Sequence, residues 1–135
     1  MPLPEPRAKL VLEATVSPSE DQDKVSLAIK NVVEDAQSEV RLSPGSVKLT
    51  TEDPRALVRL RDQLRDRHVR SAAKRQMRLN SSGKSTTLLL NRQAAVAGAI
   101  VLCGSPEESP LGPIALTIHA EKLDATIDWL TAYTG

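Results

Sequence analysis

DPRALVRLRDQLRDRHVRSAAKRQMRL, Asp53 to Leu79, decides the fold, because it reads as helix with a break inside it. Asp53 suits a helix cap and Pro54 the first helical position, where a missing N–H costs nothing. Leu57, Leu60 and Leu64 then mark one apolar face at helical spacing. The next apolar set is Val69, Ala72, Ala73 and Met77, which starts five residues beyond Leu64 rather than three or four. This phase slip predicts two helices, or one kinked helix, breaking near Arg67-His68 and ending at about Leu79. Asn80-Ser81-Ser82-Gly83 follows as a turn.

On the amino-terminal side, Ala8 to Val16 alternates as a strand with Leu10, Leu12 and Ala14 on one face. Ser17 or Ser19 can cap the next helix, Pro18 suits its first turn, and Glu20, Asp21 and Asp23 complement its positive end. Val25, Ala28, Ile29, Val32 and Val33 carry that helix to about Asp35. Ser38 to Leu42 and Val47 to Thr51 read as short strands around a Ser43-Pro44-Gly45 turn. On the carboxyl-terminal side, Ser85 to Asn91 reads as a strand. Ala94 to Leu102 is continuously apolar and is expected as a strand buried on both faces, with Gly98 at a bulge. Gly104 to Gly112 is a loop, Ile114, Leu116 and Ile118 alternate as a last strand, and Leu123, Ile127 and Leu130 form the stripe of a closing helix. The order β-α-β-β-α-α-β-β-β-α argues for an α+β fold, with helices packed on one face of a mostly antiparallel sheet. Residues 1–7 are expected as a disordered or extended N-terminal segment and residues 8–135 as a single α+β domain.

Composition limits function. With no Phe, one Trp (Trp129) and one Tyr (Tyr133), the core must be aliphatic, and a sheet that stacks bases on aromatic rings is excluded. The lone Cys103 excludes an internal disulfide and a cysteine-rich zinc site. No apolar run reaches the ~18 residues of a membrane span. MPLPEPRAKL lacks a signal peptide's apolar centre, so a cytoplasmic protein with no membrane partner is expected.

Charge is segregated. Between Arg55 and Arg92 stand eleven basic residues and two acids, Asp62 and Asp66, although the whole chain carries a net charge of only +1. A local positive field of this kind attracts polyanions. In the first helix Asp62 can pair with Arg59 or Arg65, and Asp66 with Arg70. The second has no acid after Asp66, and Lys74, Arg75 and Arg78 lie opposite its apolar face. Arg70, Lys74, Arg75, Arg78, Lys84 and Arg92 are therefore the candidate phosphate-binding residues. Arg92 joins only if the end of its strand folds back beside the others. Contact through phosphates implies little sequence preference.

The other motifs carry no chemistry. Gly83-Lys84-Ser85-Thr86 ends like a P-loop, but Arg78 stands where that loop needs glycine, and a helix precedes it and a strand follows. Asn80-Ser81-Ser82 matches a glycosylation sequon without a secretion signal. His68 and His119 lack partners at metal-ligand spacing. Ser109, His119 and Asp124 have no nucleophile-elbow glycines around the serine. No catalytic residue, metal or cofactor is expected, and the chain is not read as an enzyme.

Five stretches in order resemble an uncharacterised archaeal family of predicted RNA-binding domains, also described as predicted exosome subunits. They are SPSEDQDKV (Ser17 to Val25), LRDQLRDRHVRSAAKRQ (Leu60 to Gln76), LNRQAAVAG (Leu90 to Gly98), SPLGPI (Ser109 to Ile114) and IDWL (Ile127 to Leu130). The resemblance implies a fold similar to ribosomal protein L-five, a homodimer, and RNA and exosome components as partners. Arg92 stands where a lysine is expected in this family, which keeps the charge and changes its geometry. Two functions are therefore expected to compete. One is weak, sequence-independent RNA binding through the second basic helix. The other is a dimeric scaffold or protein-interaction module without RNA binding, its dimer made by the Ala94 to Leu102 strand or the last helix.

Overall fold

The computed structural model describes residues 7–33, 40–65, 67–104 and 112–132. The elements run β1 (Ala8–Thr15), α1 (Gln22–Val33), β2 (Val40–Ser43), β3 (Ser46–Thr51), α2 (Pro54–Gln63), α3 (Arg67–Leu79), β4 (Ser85–Leu90), α4 (Arg92–Val96), β5 (Ile114–Ala120) and α5 (Leu123–Leu130). The strands form one antiparallel sheet in the order β2-β3-β1-β5-β4. This is the expected α+β class. The expected fraying of Met1 to Pro6 and most of the loop before Gly112 lie outside the described residues.

The alternation read in the sequence sets the core. Leu10, Leu12 and Ala14 of β1 face inward beside Val47 and Leu49 of β3 and Leu116 and Ile118 of β5. Against this face lie Val25, Ile29 and Val32 of α1, Leu57 and Leu60 of α2, Met77 of α3 and Ile127 of α5. Removing these aliphatic side chains from water supplies the driving force, roughly 1.5–3 kcal/mol for each large one. The phase slip after Leu64 is a real break: α2 ends at Gln63 and α3 begins at Arg67. Asp53 caps α2 by accepting the Arg55 N–H at 2.9 Å, with Pro54 at the first position.

The stretch Ala94 to Leu102 is not the buried strand its composition suggested. Its first half is the short helix α4, capped by Asn91, whose Oδ1 accepts the Ala94 N–H at 3.0 Å. Gly98, at φ +85°, ends it in a turn, and Val96 and Val101 stand exposed. Alanine-rich runs favour helix, and a short apolar run alone cannot tell a helix from a strand.

Amide side chains close the backbone where elements end. Gln63 Nε2 donates to the Asn31 and Val32 carbonyls at the end of α1, and Asn31 Nδ2 donates to the Ala95 carbonyl at the end of α4 (2.8 Å). Along the outer edge of β4, Gln76 Oε1 accepts the Leu89 N–H at 2.7 Å. Its Nε2 donates to the Cys103 carbonyl at 2.7 Å. Asn80 Nδ2 satisfies the Thr87 carbonyl at 2.8 Å. An edge strand with open backbone groups invites pairing with another chain, and these amides block it.

Candidate nucleic-acid interface

Helix α3 buries Ala73 and Met77 and exposes Lys74, Arg75 and Arg78. Thr86 Oγ1 donates to the Met77 carbonyl and fixes the end of the helix on β4. Arg70, Lys74 and Arg78 follow at four-residue steps, so they share one side of the helix about 6 Å apart. Arg70 is half-buried and its Nη1 donates to the Arg65 carbonyl at 3.4 Å.

The second basic helix is uncompensated only in sequence. Asp128 of α5 accepts from Arg78 Nη2 at 2.7 Å and lies 3.6 Å from Lys74 Nζ. Lys84, in the turn before β4, pairs with Glu121 at 2.6 Å. The Lys84 ammonium, donating to Glu121 and adding its charge, holds that carboxyl below its ordinary range. These pairs are exposed at both ends and are therefore weak, so they open readily for a competing anion. Asp128 and Glu121 were not found by sequence reasoning, because their partners lie 37 to 54 positions away along the chain. The neighbouring Arg61 of α2 lies over the Trp129 ring, 4.6 Å from its centroid. That contact joins α2 to α5 and was also not foreseen.

Arg92 is elsewhere. Its side chain is 4% exposed, and Nη1 donates to both oxygens of Glu20, itself 10% exposed, at 3.0 and 2.8 Å. Nε donates to the Gly112 carbonyl at 2.8 Å. The strand end does not fold back beside α3, and this guanidinium is removed from the candidate set. Glu20 is turned to this guanidinium. The Asp21 carboxylate caps α1 instead, accepting the Asp23 N–H at 2.9 Å. Burial pushes the Glu20 carboxyl up. The Ser17 N–H and Arg92 together outweigh burial and hold it below its ordinary 4.5.

This buried pair also joins three of the stretches that carry the family resemblance. SPSEDQDKV supplies Glu20, LNRQAA supplies the Asn91 cap and Arg92, and SPLGPI supplies Gly112. Three stretches distant in sequence meet at one guanidinium. Gly112 is at φ +96°, where a side chain is strained, and a Cβ there would meet Arg92 Nη2 and Thr15 Oγ1 at 3.5 Å.

His119 stands exposed on β5 and Asp124 on α5, while Ser109 lies outside the described residues. Among the described residues no group of three His, Cys, Asp or Glu could hold a metal ion, and no helix is long and apolar enough to cross a membrane. The last helix buries Leu123, Ile127 and Leu130 in its own core and presents Asp124 and Asp128 outward.

Fold and surface together define a small α+β domain, an aliphatic one-sided sheet-and-helix sandwich whose distinguishing surface is a charged helix pair. A UPF0201 protein of Sulfurisphaera tokodaii is 36% identical over 130 residues, spanning 94% of this chain and 89% of the relative. Another, from Metallosphaera sedula, is 33% identical over 128 residues, spanning 94% and 90%. The chain belongs to the UPF0201 family. A crystal structure of a UPF0201 protein matches with a TM-score of 0.77 at 25% identity, covering 93% of this chain and 94% of that one. The UPF0201 structure from Methanococcus jannaschii matches in fold with a TM-score of 0.76 at 24% identity, covering 94% and 95%. No family model matches the chain.

Proposed function

We propose that this protein is a non-enzymatic binder of RNA that grips the phosphate backbone through α3. The observation that carries the reading is the row of cations on the exposed side of α3, with Lys74 and Arg78 about half exposed and held by one shared carboxylate. One acid against two cations leaves a positive surplus, to which exposed Arg75 adds. Cations repeating about every 6 Å along one side of a helix suit a row of phosphates along a strand. Recognition at this spacing reads backbone geometry and not base identity. Filter binding of a 20-nucleotide RNA to wild type and to the Lys74→Glu, Arg75→Glu, Arg78→Glu variant tests it. The reading requires binding by the first and none by the second.

A second reading has one observation in its favour. The sheet face opposite the helices carries half-buried Val11, Thr87, Leu89, Ala115 and Thr117, with no element of the described chain on it. A homodimer would cover that face and leave α3 outward, so the two readings are compatible. Light scattering with and without Val11→Lys separates a dimer on this face from a monomer.

A further inference from the structure

We propose that the groove at the end of the sheet is a binding site for a nucleoside monophosphate. The groove has a volume of about 660 Å³, within the usual range of roughly 300–1,000 Å³ for small-molecule sites. It opens where β1 begins, β5 ends and α2 starts. Arg7, Lys9, Lys84 and His119 bring nitrogen donors to it from three strands and their turns, against the carboxylates of Glu52 and Glu121.

The charges are not equivalent. Lys84 and Glu121 satisfy one another at 2.6 Å. Arg7, Lys9 and His119 make no side-chain hydrogen bond or ion pair among the described residues, so their donors are uncommitted. Lys9 and His119 are directly paired across β1 and β5, which brings their side chains to the same side of the sheet. Among the described residues, three adjacent donors opposed by one uncommitted acid, Glu52, suit a ligand with a dianionic head, and a phosphate monoester supplies one. The rest of the lining is unlike a bare anion site. Ala8 and Pro54 give it an apolar wall for a base, and Glu52 offers acceptors for ribose hydroxyls. No aromatic ring other than the His119 imidazole is present, so a base would be held by its edge and by apolar contact, without stacking between two rings.

Calorimetric titration with AMP, adenosine and inorganic phosphate tests the assignment, using the full chain at low salt. AMP is expected to bind, with adenosine, which lacks the charge-assisted phosphate contacts, and inorganic phosphate, which lacks the base and ribose contacts, each at least about tenfold weaker. Arg7→Gln and Lys9→Gln, both at exposed positions, are each expected to weaken AMP by a similar factor while leaving the circular dichroism spectrum unchanged. The α3 triple reversal is expected to leave AMP affinity as it is, so this site and the RNA reading fail separately. A 5′-phosphorylated tetranucleotide that displaces AMP would identify the ligand as an RNA end; failure to displace would identify it as the free nucleotide. Absence of AMP binding, equal binding of adenosine or phosphate, or indifference to both substitutions would overturn the proposal.

Discussion

Arg92 and Glu20 stand 72 positions apart in the chain and meet in a two-oxygen ion pair at 3.0 and 2.8 Å, both nearly buried. The pair ties the loop before α1 to the start of α4, and through the Gly112 carbonyl to the entry of β5. Breaking a buried pair by removing one partner strands the other charge, at about 3–5 kcal/mol. Arg92→Ala and Glu20→Ala are each expected to cost that much in urea unfolding. The double variant is expected to cost clearly less than the two losses added, because neither charge is then left alone. Additive losses would show that the two side chains act independently. Arg92→Lys is also expected to destabilise, since an ammonium cannot hold both Glu20 oxygens and the Gly112 carbonyl in the same fork.

Acid should release the same pair. The folded Glu20 carboxyl sits below its ordinary 4.5, so the folded state holds fewer protons than the unfolded chain in that range. Its contribution is fully present above about pH 4.5 and is lost as pH falls below that, through the folded value. Unfolding free energies measured at about pH 7, 4 and 3 are expected to fall more steeply in wild type than in Glu20→Gln. Half-buried Asp53 and exposed Glu121 are also held low, by Arg55 and Lys84, but both proteins share them. Parallel curves would remove Glu20 from the acid response.

Gln76 completes a sheet edge that would otherwise end in open backbone groups. Its amide accepts from Leu89 and donates to the Cys103 carbonyl. Gln76→Ala is expected to cost about 1–3 kcal/mol and to speed hydrogen exchange at the Leu89 amide selectively. If the Leu89 amide exchanged no faster, the edge-blocking role would be wrong.

How much of this was legible in sequence depends on the range of the interaction. The alternation of Leu10, Leu12 and Ala14, the slip between Leu64 and Val69 and the Asp53-Pro54 cap are local patterns, and each maps onto an element. The helix α4 was missed because Ala94 to Leu102 is uniformly apolar and carries no period. The charge balance of α3 was misjudged because Asp128 reaches Lys74 and Arg78 only once α5 has packed. Arg92 looked like one more surface cation. Charge counting along a chain does not reveal that a carboxylate from the first loop has enclosed it.

Asp128 is expected to act as a brake on RNA binding. Asp128→Asn frees Lys74 and Arg78 together and removes a negative charge beside the phosphate track. RNA affinity at low salt is expected to rise about fivefold, the ~1 kcal/mol of one charge at 4 Å in water. A fall in affinity would place the RNA elsewhere.

The most direct test of the central claim is the salt dependence of RNA binding, measured at 50 and 200 mM salt for wild type and for the α3 charge-reversal variant. Each phosphate neutralised on a single strand contributes a slope of about −0.7 in log affinity against log salt, so three contacts predict about −2. The account predicts that slope for wild type and loss of binding in the variant. Wild type that fails to bind at 50 mM salt, or a variant that binds with the same affinity and slope, would contradict it.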